Sequence, residues 1–307
     1  MDRKLILVTQ PTRLEELICR YNTEGQVKFY LEHHGADYAD YRREYDAYHA
    51  AVQTVRQAME SLGRVQTLER RFVSRFLFGP EDLVVCVGRD GLIANVMKYL
   101  DGQALIGVNP EPTRWDGVLL PFAPKDMAAL LPEAIRGTRP SRAITLAKAE
   151  LSDGQCLYGV NDIFVGQRTH VSARYTLQCG AQREAQSSSG IIISTGLGST
   201  GWLKSVLAGA AGVERFYGSK SSLPKNTAFA WDADYLYYTV REPYPSRATG
   251  AEMVFGRITR ENQLRVTSQM PENGVIFSDG IEADALEFTA GLTATIGLAG
   301  HQGKLLF

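Results

Sequence analysis

One short stretch constrains the fold more than any other: five apolar residues, Leu83–Val87, followed by Gly88-Arg89-Asp90-Gly91. A continuous apolar run of this length is typical of a strand that is buried on both faces, as in a parallel sheet. The residues from Leu92 to Leu100 have the composition of a helix. A buried strand, a glycine-bracketed turn and a helix in this order predict an α/β domain.

The turn after the predicted strand favours an anion, because free backbone N–H groups and the helix dipole point to one place. Asp90 puts a carboxylate there, which suits a residue that holds a metal ion or takes a proton from an attacking hydroxyl. A second interpretation stays open, in which Asp90 only caps the helix within a common Gly-x-Asp-Gly turn.

Composition and charge exclude several classes of protein. The chain has 307 residues, 44% of them hydrophobic and 22% charged, which is typical of globular proteins and predicts two domains. The net charge of -1 argues against a nucleic-acid or acidic-membrane partner. No apolar run approaches the ~20 residues of a membrane span, and the run after Lys4 is too short for a signal peptide. We therefore expect a cytoplasmic protein, without a zinc site because the cysteines lack ligand spacing.

The sequence pattern divides the chain into two parts. Before residue 140 a long helical period runs from Tyr41 to Leu62, and the predicted strand Ala104–Val108 ends in a loop, Asn109–Arg114. That loop should lie at the same sheet edge as Asp90. After residue 142 short alternating strands prevail. We predict an α/β N-terminal domain (1–140) with a mostly parallel sheet, a β-rich, sandwich-like domain (141–290), and a C-terminal segment (291–307) that packs on the N-terminal domain.

A second loop of small residues, Thr195–Gly201, follows an apolar run and precedes a predicted helix at Trp202. Its glycines let a backbone approach a ligand closely, and its hydroxyls suit ribose or phosphate. The alternative is a helix cap with linker glycines. Asn161-Asp162 is a third unusual feature, because two polar residues stand within an apolar strand pattern. They either bind a ligand's hydroxyls or base, or mark a bulge or turn.

Taken together, these segments resemble the NAD kinase family. That family has a Gly-Gly-Asp-Gly turn in an α/β domain, an Asn-Glu/Asp pair opening a β-domain, and a Thr/Gly/Ser-rich loop before a helix. The matching segments here are Gly88–Gly91, Asn161-Asp162 and Thr195–Trp202, in the same order. The mitochondrial-type branch is the most similar, on the segments Gly107–Arg114, Ser188–Gly190, Val240–Pro243 and Ser246-Arg247.

The resemblance implies an enzyme that moves the γ-phosphate of ATP to the 2′-hydroxyl of the NAD adenosine ribose, giving NADP. It assigns Asp90 as the base, Mg²⁺ (or Mn²⁺) as a companion of the nucleotide with no side-chain metal motif, and a homodimer or larger homo-oligomer. The residues it assigns to the donor phosphates are Gly88, Arg89, Gly91, Asn109 and Arg114. Those it assigns to the dinucleotide are Asn161, Asp162, Thr195, Gly196, Gly198, Ser199, Thr200 and Trp202.

Two residues depart from the family pattern: Arg89 replaces its second glycine and Leu92 a usual threonine. If the glycine provides a positive φ, Arg89 is strained; if it allows close approach, Arg89 fills the space of a phosphate. Alternatively, Arg89 itself contacts the phosphate. The alternative functions are a kinase for a lipid, sugar or nucleoside on the same scaffold, and a non-catalytic nucleotide-binding protein.

Overall fold

The computed structural model describes residues 4–218 and 226–307. These residues form two compact units. The first comprises the described residues up to Arg142 together with Lys304–Phe307, and the second is Ala143–Gly303. Each unit has a hydrophobic core of its own. In the described ranges, no helix combines the length and the hydropathy that crossing a membrane requires.

The first unit alternates strands with helices. Its helices are α1 (Arg13–Tyr21), α2 (Glu24–His33), α3 (Tyr38–Glu60), α4 (Asp90–Met97) and α5 (Met127–Arg136). Its strands are β1 (Leu5–Thr9), β2 (Val65–Glu69), β3 (Leu83–Val87) and β4 (Ala104–Val108), and short 3₁₀ turns span Arg70–Arg75 and Pro124–Asp126.

The second unit consists mostly of strands. They are β5 (Ser141–Leu151), β6 (Cys156–Gly159), β7 (Asp162–Gln167), β8 (Ala173–Cys179), β9 (Gln182–Ser188), β10 (Ile191–Ser194), β11 (Leu236–Val240), β12 (Phe255–Ile258), β13 (Leu264–Ser268), β14 (Gly274–Ser278), β15 (Ile281–Glu287) and β16 (Thr293–Leu306). A 3₁₀ turn at Gly198–Thr200 leads into the helix α6 (Trp202–Phe216).

The sheet of the first unit is parallel throughout, in the order β2-β1-β3-β4 followed by the end of β16. Every residue of β3 is buried, as the apolar run predicted. Lys304 and Leu305 of β16 pair with Ala104 and Leu105 of β4. The prediction of an α/β domain with a mostly parallel sheet is therefore confirmed.

The apolar stripe of helix α3 packs in part against the parallel sheet and in part against α1 and α2. Tyr48, Val55 and Met59 belong to the core beneath the parallel sheet, whereas Tyr41 packs with α1 and α2. The helix begins at Tyr38, three residues before the predicted stripe, because the Asp37 carboxylate accepts the N–H of Ala39 at 2.9 Å. This N-cap satisfies a backbone N–H at the start of the helix. The repeat of apolar residues begins later and therefore does not show where the helix starts.

The second unit is a sandwich of antiparallel strands. One sheet has the order β12-β11-β10-β7-β14-β15, and the other runs β16-β13-β8-β9 with β5 and β6 attached. Their shared core includes Ile163, Tyr175, Ile193 and Val266, which come from both sheets. The β-rich, sandwich-like C-terminal fold is thus also confirmed. On the outer face of the six-stranded sheet, Trp202 of α6 stacks on Phe164, with ring centroids 5.6 Å apart.

Gly107 allows the chain after β4 to fold back against that strand. A Cβ atom there would lie 2.1 Å from the carbonyl oxygen of Leu119. We predict that Gly107→Ala lowers the free energy of unfolding by about 1–3 kcal/mol, because backbone atoms must move to relieve the overlap. Urea denaturation measures this change. Gly25→Ala in α2 is the matched control, since no atom lies within 4 Å of its added Cβ; equal losses in both variants would contradict the prediction.

Candidate functional site

The turn after β3 has an ordinary backbone. Arg89 has φ -114° and ψ 165°, which is extended conformation, so the arginine at the place of the family's glycine carries no backbone strain. Gly88 lies close to two side chains, since a Cβ atom there would lie 2.9 Å from Leu92 Cδ2 and 3.0 Å from Gln10 Nε2. Gly91 is exposed, and a Cβ atom there would meet nothing within 4 Å. The turn therefore leaves space on the side of Gly91.

Asp90 is the first residue of α4, and its carboxylate does not cap that helix. Oδ1 accepts the backbone N–H of Leu119 at 2.8 Å, and Oδ2 accepts that of Val118 at 3.3 Å. The residue before the helix is Arg89, whose side chain makes no capping hydrogen bond. The carboxylate thus joins α4 to the loop after β4. Each oxygen keeps lone-pair capacity for a further donor.

Asn109 organises the loop that the sequence placed at this sheet edge. Its Nδ2 donates to the carbonyl of Trp115 at 2.9 Å, and its Oδ1 accepts the N–H of Glu111 at 3.0 Å. Its own N–H donates to the carbonyl of Phe122 at 2.8 Å. The buried amide therefore holds the loop in place, and its side-chain atoms are engaged with backbone groups.

The two arginines predicted to contact donor phosphates are both paired with acids of α3. Arg89 Nη2 donates to Glu44 Oε1 at 2.7 Å, and Arg114 Nη2 donates to Asp40 Oδ2 at 2.6 Å. The guanidinium carbons of Arg89 and Arg114 lie 4.3 and 5.2 Å from the centre of the Trp115 ring. The first unit therefore gathers Arg89, Arg114 and Trp115 next to the turn that carries Asp90.

In the second unit, Asn161 lies between β6 and β7 and Asp162 begins β7, so the pair forms a turn between two strands and not the interior of one. The turn is held by Asp279, whose Oδ1 accepts the N–H of Asn161 at 2.6 Å and whose Oδ2 accepts that of Val160 at 3.0 Å. Asp279 has φ 55°, a conformation that Asp tolerates better than most residues. Sequence analysis missed Asp279, whose only local signal is the Asp279-Gly280 turn.

Asp162 is buried, with 9% of the residue exposed. In the part of the chain that the structure describes, its carboxylate has no side-chain hydrogen bond. Burial, together with the nearby negative charge of Asp279, raises the pKa of Asp162 to about 7. A buried carboxyl without a partner is costly, so it is available to a hydroxyl or amine of a ligand.

Two hydroxyls of the 195–201 loop, those of Thr195 and Ser199, form hydrogen bonds inside the protein. Thr195 Oγ1 donates to the carbonyl of Val160 at 2.6 Å, and Ser199 Oγ donates to that of Gly196 at 2.6 Å. Both side chains are fully buried. These hydroxyls therefore stabilise the loop, whereas Thr200 is exposed.

The glycines of this loop allow contact between segments of the chain itself. A Cβ atom at Gly196 would lie 1.9 Å from the carbonyl oxygen of Ala230, and one at Gly198 would lie 2.0 Å from that of Asn161. Close backbone approach was expected for a ligand, but the backbone approached here is the protein's own. Trp202, next in the chain, packs on Phe164 and within 5.5 Å of the Arg241 guanidinium.

Residues 4–218 and 226–307 contain no group of three or more His, Cys, Asp or Glu side chains that could hold a metal ion. The acids Asp40 and Glu44 and the ring of Trp115 were not identified from the sequence. Their spacing to Arg89 and Arg114 in the chain is too long for any local motif.

Comparison with solved structures identifies the fold, whereas comparison with protein families and curated sequences finds no match. No protein-family model matches the chain, and no curated protein matches it in sequence. The crystal structure of an NAD kinase from Archaeoglobus fulgidus in complex with ATP is similar, with a TM-score of 0.59, 15% identity, and coverage of 99% of this chain and 93% of that one. Yeast NADH kinase complexed with NADH gives a TM-score of 0.61 and 12% identity, covering 100% of this chain and 84% of that one. The chain therefore has the fold of the NAD and NADH kinases.

The raised pKa of Asp162 predicts a pH-dependent effect of Asp162→Asn on stability. Between the unfolded pKa, 3.8, and the folded value of about 7, the folded state holds a proton that the unfolded state has lost. The wild-type protein therefore loses stability as the pH rises through this window. The variant does not titrate there, so it gains about 3 kcal/mol relative to the wild type on going from pH 4.5 to pH 8.

Urea denaturation at the two pH values measures this gain, with Asp234→Asn as the control because Asp234 is an exposed acid of the same unit. A difference between Asp162→Asn and wild type that stays constant from pH 4.5 to pH 8 would contradict the prediction.

Proposed function

We propose that the chain is an NAD kinase-like phosphotransferase, which moves the γ-phosphate of ATP to the 2′-hydroxyl of the NAD adenosine ribose and yields NADP. The fold that it shares with an NAD kinase bound to ATP and an NADH kinase bound to NADH supports this proposal. The observation that carries it is the position of Asp90, at the start of α4 and beyond the carboxyl end of β3, where α/β proteins bind phosphates.

Asp90 is the general base of the proposed reaction. It takes the proton of the 2′-hydroxyl while that oxygen forms a bond to the γ-phosphorus, the bond from this phosphorus to the β–γ bridging oxygen breaks, and ADP leaves. The N–H groups of Val118 and Leu119 fix the orientation of the carboxylate, and its oxygens keep lone pairs that can accept the proton of the hydroxyl.

The donor phosphates are assigned to the turn Gly88–Gly91 and to Arg114. Gly91 leaves open space at the N-terminus of α4, and the backbone N–H groups there favour negative charge. Arg89 adds a guanidinium, and Asn109 holds the loop that carries Arg114. Mg²⁺ or Mn²⁺ enters as the companion of the ATP phosphates and belongs to the substrate.

The dinucleotide is assigned to the second unit. Asn161 and Asp162 accept its hydroxyls or base amine, Thr200 adds an exposed hydroxyl, and Trp202 adds an aromatic side chain. Thr195, Gly196, Gly198 and Ser199 act through the shape of the loop, because their polar atoms and α-carbons contact the protein itself. The protein acts as a homodimer or larger homo-oligomer.

A non-catalytic nucleotide-binding protein is the second candidate. It is favoured by one observation: both oxygens of Asp90 already accept backbone N–H groups, so the residue has a structural role without any catalysis. A kinase for another acceptor would share the donor half of the mechanism, and the assay below separates these possibilities.

The first test is formation of NADP from NAD, ATP and Mg²⁺, measured chromatographically. We predict that Asp90→Asn lowers kcat by about 10²–10⁴-fold, because the amide cannot accept the proton, while the affinity for NAD changes only a few-fold. Asp116→Asn is the matched control, since Asp116 is an exposed acid in the loop that Asp90 contacts. Its turnover should equal that of the wild type.

Near-full activity of Asp90→Asn would exclude Asp90 as the base. If the wild type forms no NADP but NAD raises its melting temperature, the protein is a binding protein or a kinase for another acceptor. If none of NAD, NADP and ATP raises the melting temperature at millimolar concentration, both the kinase and the non-catalytic nucleotide-binding protein are contradicted.

A further inference from the structure

Three arginines from separate segments meet two acids on one face of α3. Asp40 and Glu44 are four residues apart, so they lie side by side on the helix. Arg13 pairs with both acids, at 3.0 Å to Asp40 and by a short contact to Glu44. Arg114 contacts Asp40 at 2.6 Å and Arg89 contacts Glu44 at 2.7 Å. We call these five residues the arginine array.

The arginine array keeps an excess of positive charge. Its three guanidinium groups face two carboxylates, and the hydrogen bonds of Arg114 and Arg13 hold the pKa of Asp40 below its ordinary value, so Asp40 is ionised. Arg43 lies 3.5 Å from both Asp40 and Asp37, and Glu111 lies 3.9 Å from Arg114. The five residues of the array therefore contain one more guanidinium than carboxylate, and acids around the array offset that charge.

Within the array, Glu44 is the buried member and Arg89 the exposed one. The side chain of Glu44 is 10% exposed and that of Arg89 is 41% exposed. A buried carboxylate strongly requires its cationic partners, so Glu44 fixes the end of the Arg89 side chain. The Trp115 ring, 4.3 Å from the guanidinium carbon, restricts it further.

Arg89 keeps most of its hydrogen-bonding capacity. A guanidinium has five N–H donors, and among the described residues only Glu44 accepts one from the Arg89 side chain. The remaining donors form the planar fork that suits two oxygens of a phosphate group. Arg89 immediately precedes Asp90, so this fork belongs to the turn assigned to the donor.

We propose that Glu44 is a positioning residue for the phosphate donor: it holds Arg89 on Trp115 so that the free N–H edge of the guanidinium contacts a donor phosphate. This proposal rests on the proposed function and extends it to a residue of α3. The family's glycine leaves room for a phosphate at this position. In this chain Arg89 supplies a charged contact to the phosphate instead, and Glu44 sets the orientation of that contact.

The test compares wild type, Glu44→Gln, Arg89→Ala and the double variant in binding a non-hydrolysable ATP analogue with Mg²⁺, measured by calorimetry. We predict that each single variant weakens analogue binding about tenfold and leaves NAD binding unchanged, because only the donor contact is lost. The double variant should bind no more weakly than Arg89→Ala, since Glu44 acts through Arg89. Arg89→Lys should restore binding only in part, because an ammonium lacks the planar fork.

Asp46→Asn is the matched control, because Asp46 is an exposed acid of the same helix that pairs with Arg42 at 3.0 Å. Its analogue affinity and melting temperature should equal those of the wild type. If Glu44→Gln lowers the melting temperature but leaves analogue affinity unchanged, Glu44 is merely structural and the proposal is overturned.

The outcomes also separate this proposal from the proposed function. A wild-type protein that forms NADP, with Arg89→Ala and Glu44→Gln variants that bind the analogue as well as the wild type, overturns the roles of Glu44 and Arg89 but leaves the proposed reaction standing. A wild-type protein that neither binds the analogue nor forms NADP overturns both. Additive losses in the double variant overturn the action of Glu44 through Arg89, and non-additive losses support it.

Discussion

The carboxylate of Asp90 joins two segments on which the candidate site of the first unit depends. Its oxygens accept the N–H groups of Leu119 and Val118, so the start of α4 and the loop after β4 are fixed to each other. Gly107 allows the same loop to lie against β4, and Asn109 closes it from within. A side chain held in this way needs little reorganisation to accept a proton, which is what a general base requires.

In the first unit, acidic side chains hold arginine side chains in position. Asp40 and Glu44 lie on a helix whose other face packs beneath the sheet, and they restrain arginines that come from three different segments. In the proposed donor site, Arg89 and Arg114 lose less conformational entropy on binding a phosphate because their side chains are already held. The replacement of a motif glycine by Arg89 is accommodated because the backbone is extended there and its side chain has partners of its own.

The second unit reaches a similar rigidity through backbone contacts. Asp279 gathers the N–H groups of the turn at Asn161, and Gly196 and Gly198 bring neighbouring backbones within contact distance. Thr195 and Ser199 then satisfy carbonyls that this close packing buries. Asp162 departs from this pattern, because it is a buried carboxyl with a raised pKa and, among the described residues, no hydrogen bond to its side chain. Ionisable groups with strongly shifted pKa values are concentrated at functional sites.

The sequence by itself determined the features that depend on local composition. The five apolar residues of β3 require burial on both faces, and the stripe of α3 requires a packed helix, so the α/β domain was predictable. The alternation of buried and more exposed residues in β8 made the β-rich domain predictable in the same way. Strand β9 was not predictable, because Gln186 and Ser188 are buried through hydrogen bonds to Tyr175 and leave no apolar alternation.

Only the tertiary structure decided the partners of the candidate site: Asp90 with Leu119, Arg89 with Glu44, and Asn161 with Asp279 are 29, 45 and 118 residues apart. Tertiary folding brings these distant residues together, and no local repeat or motif in the sequence indicates which of them will meet.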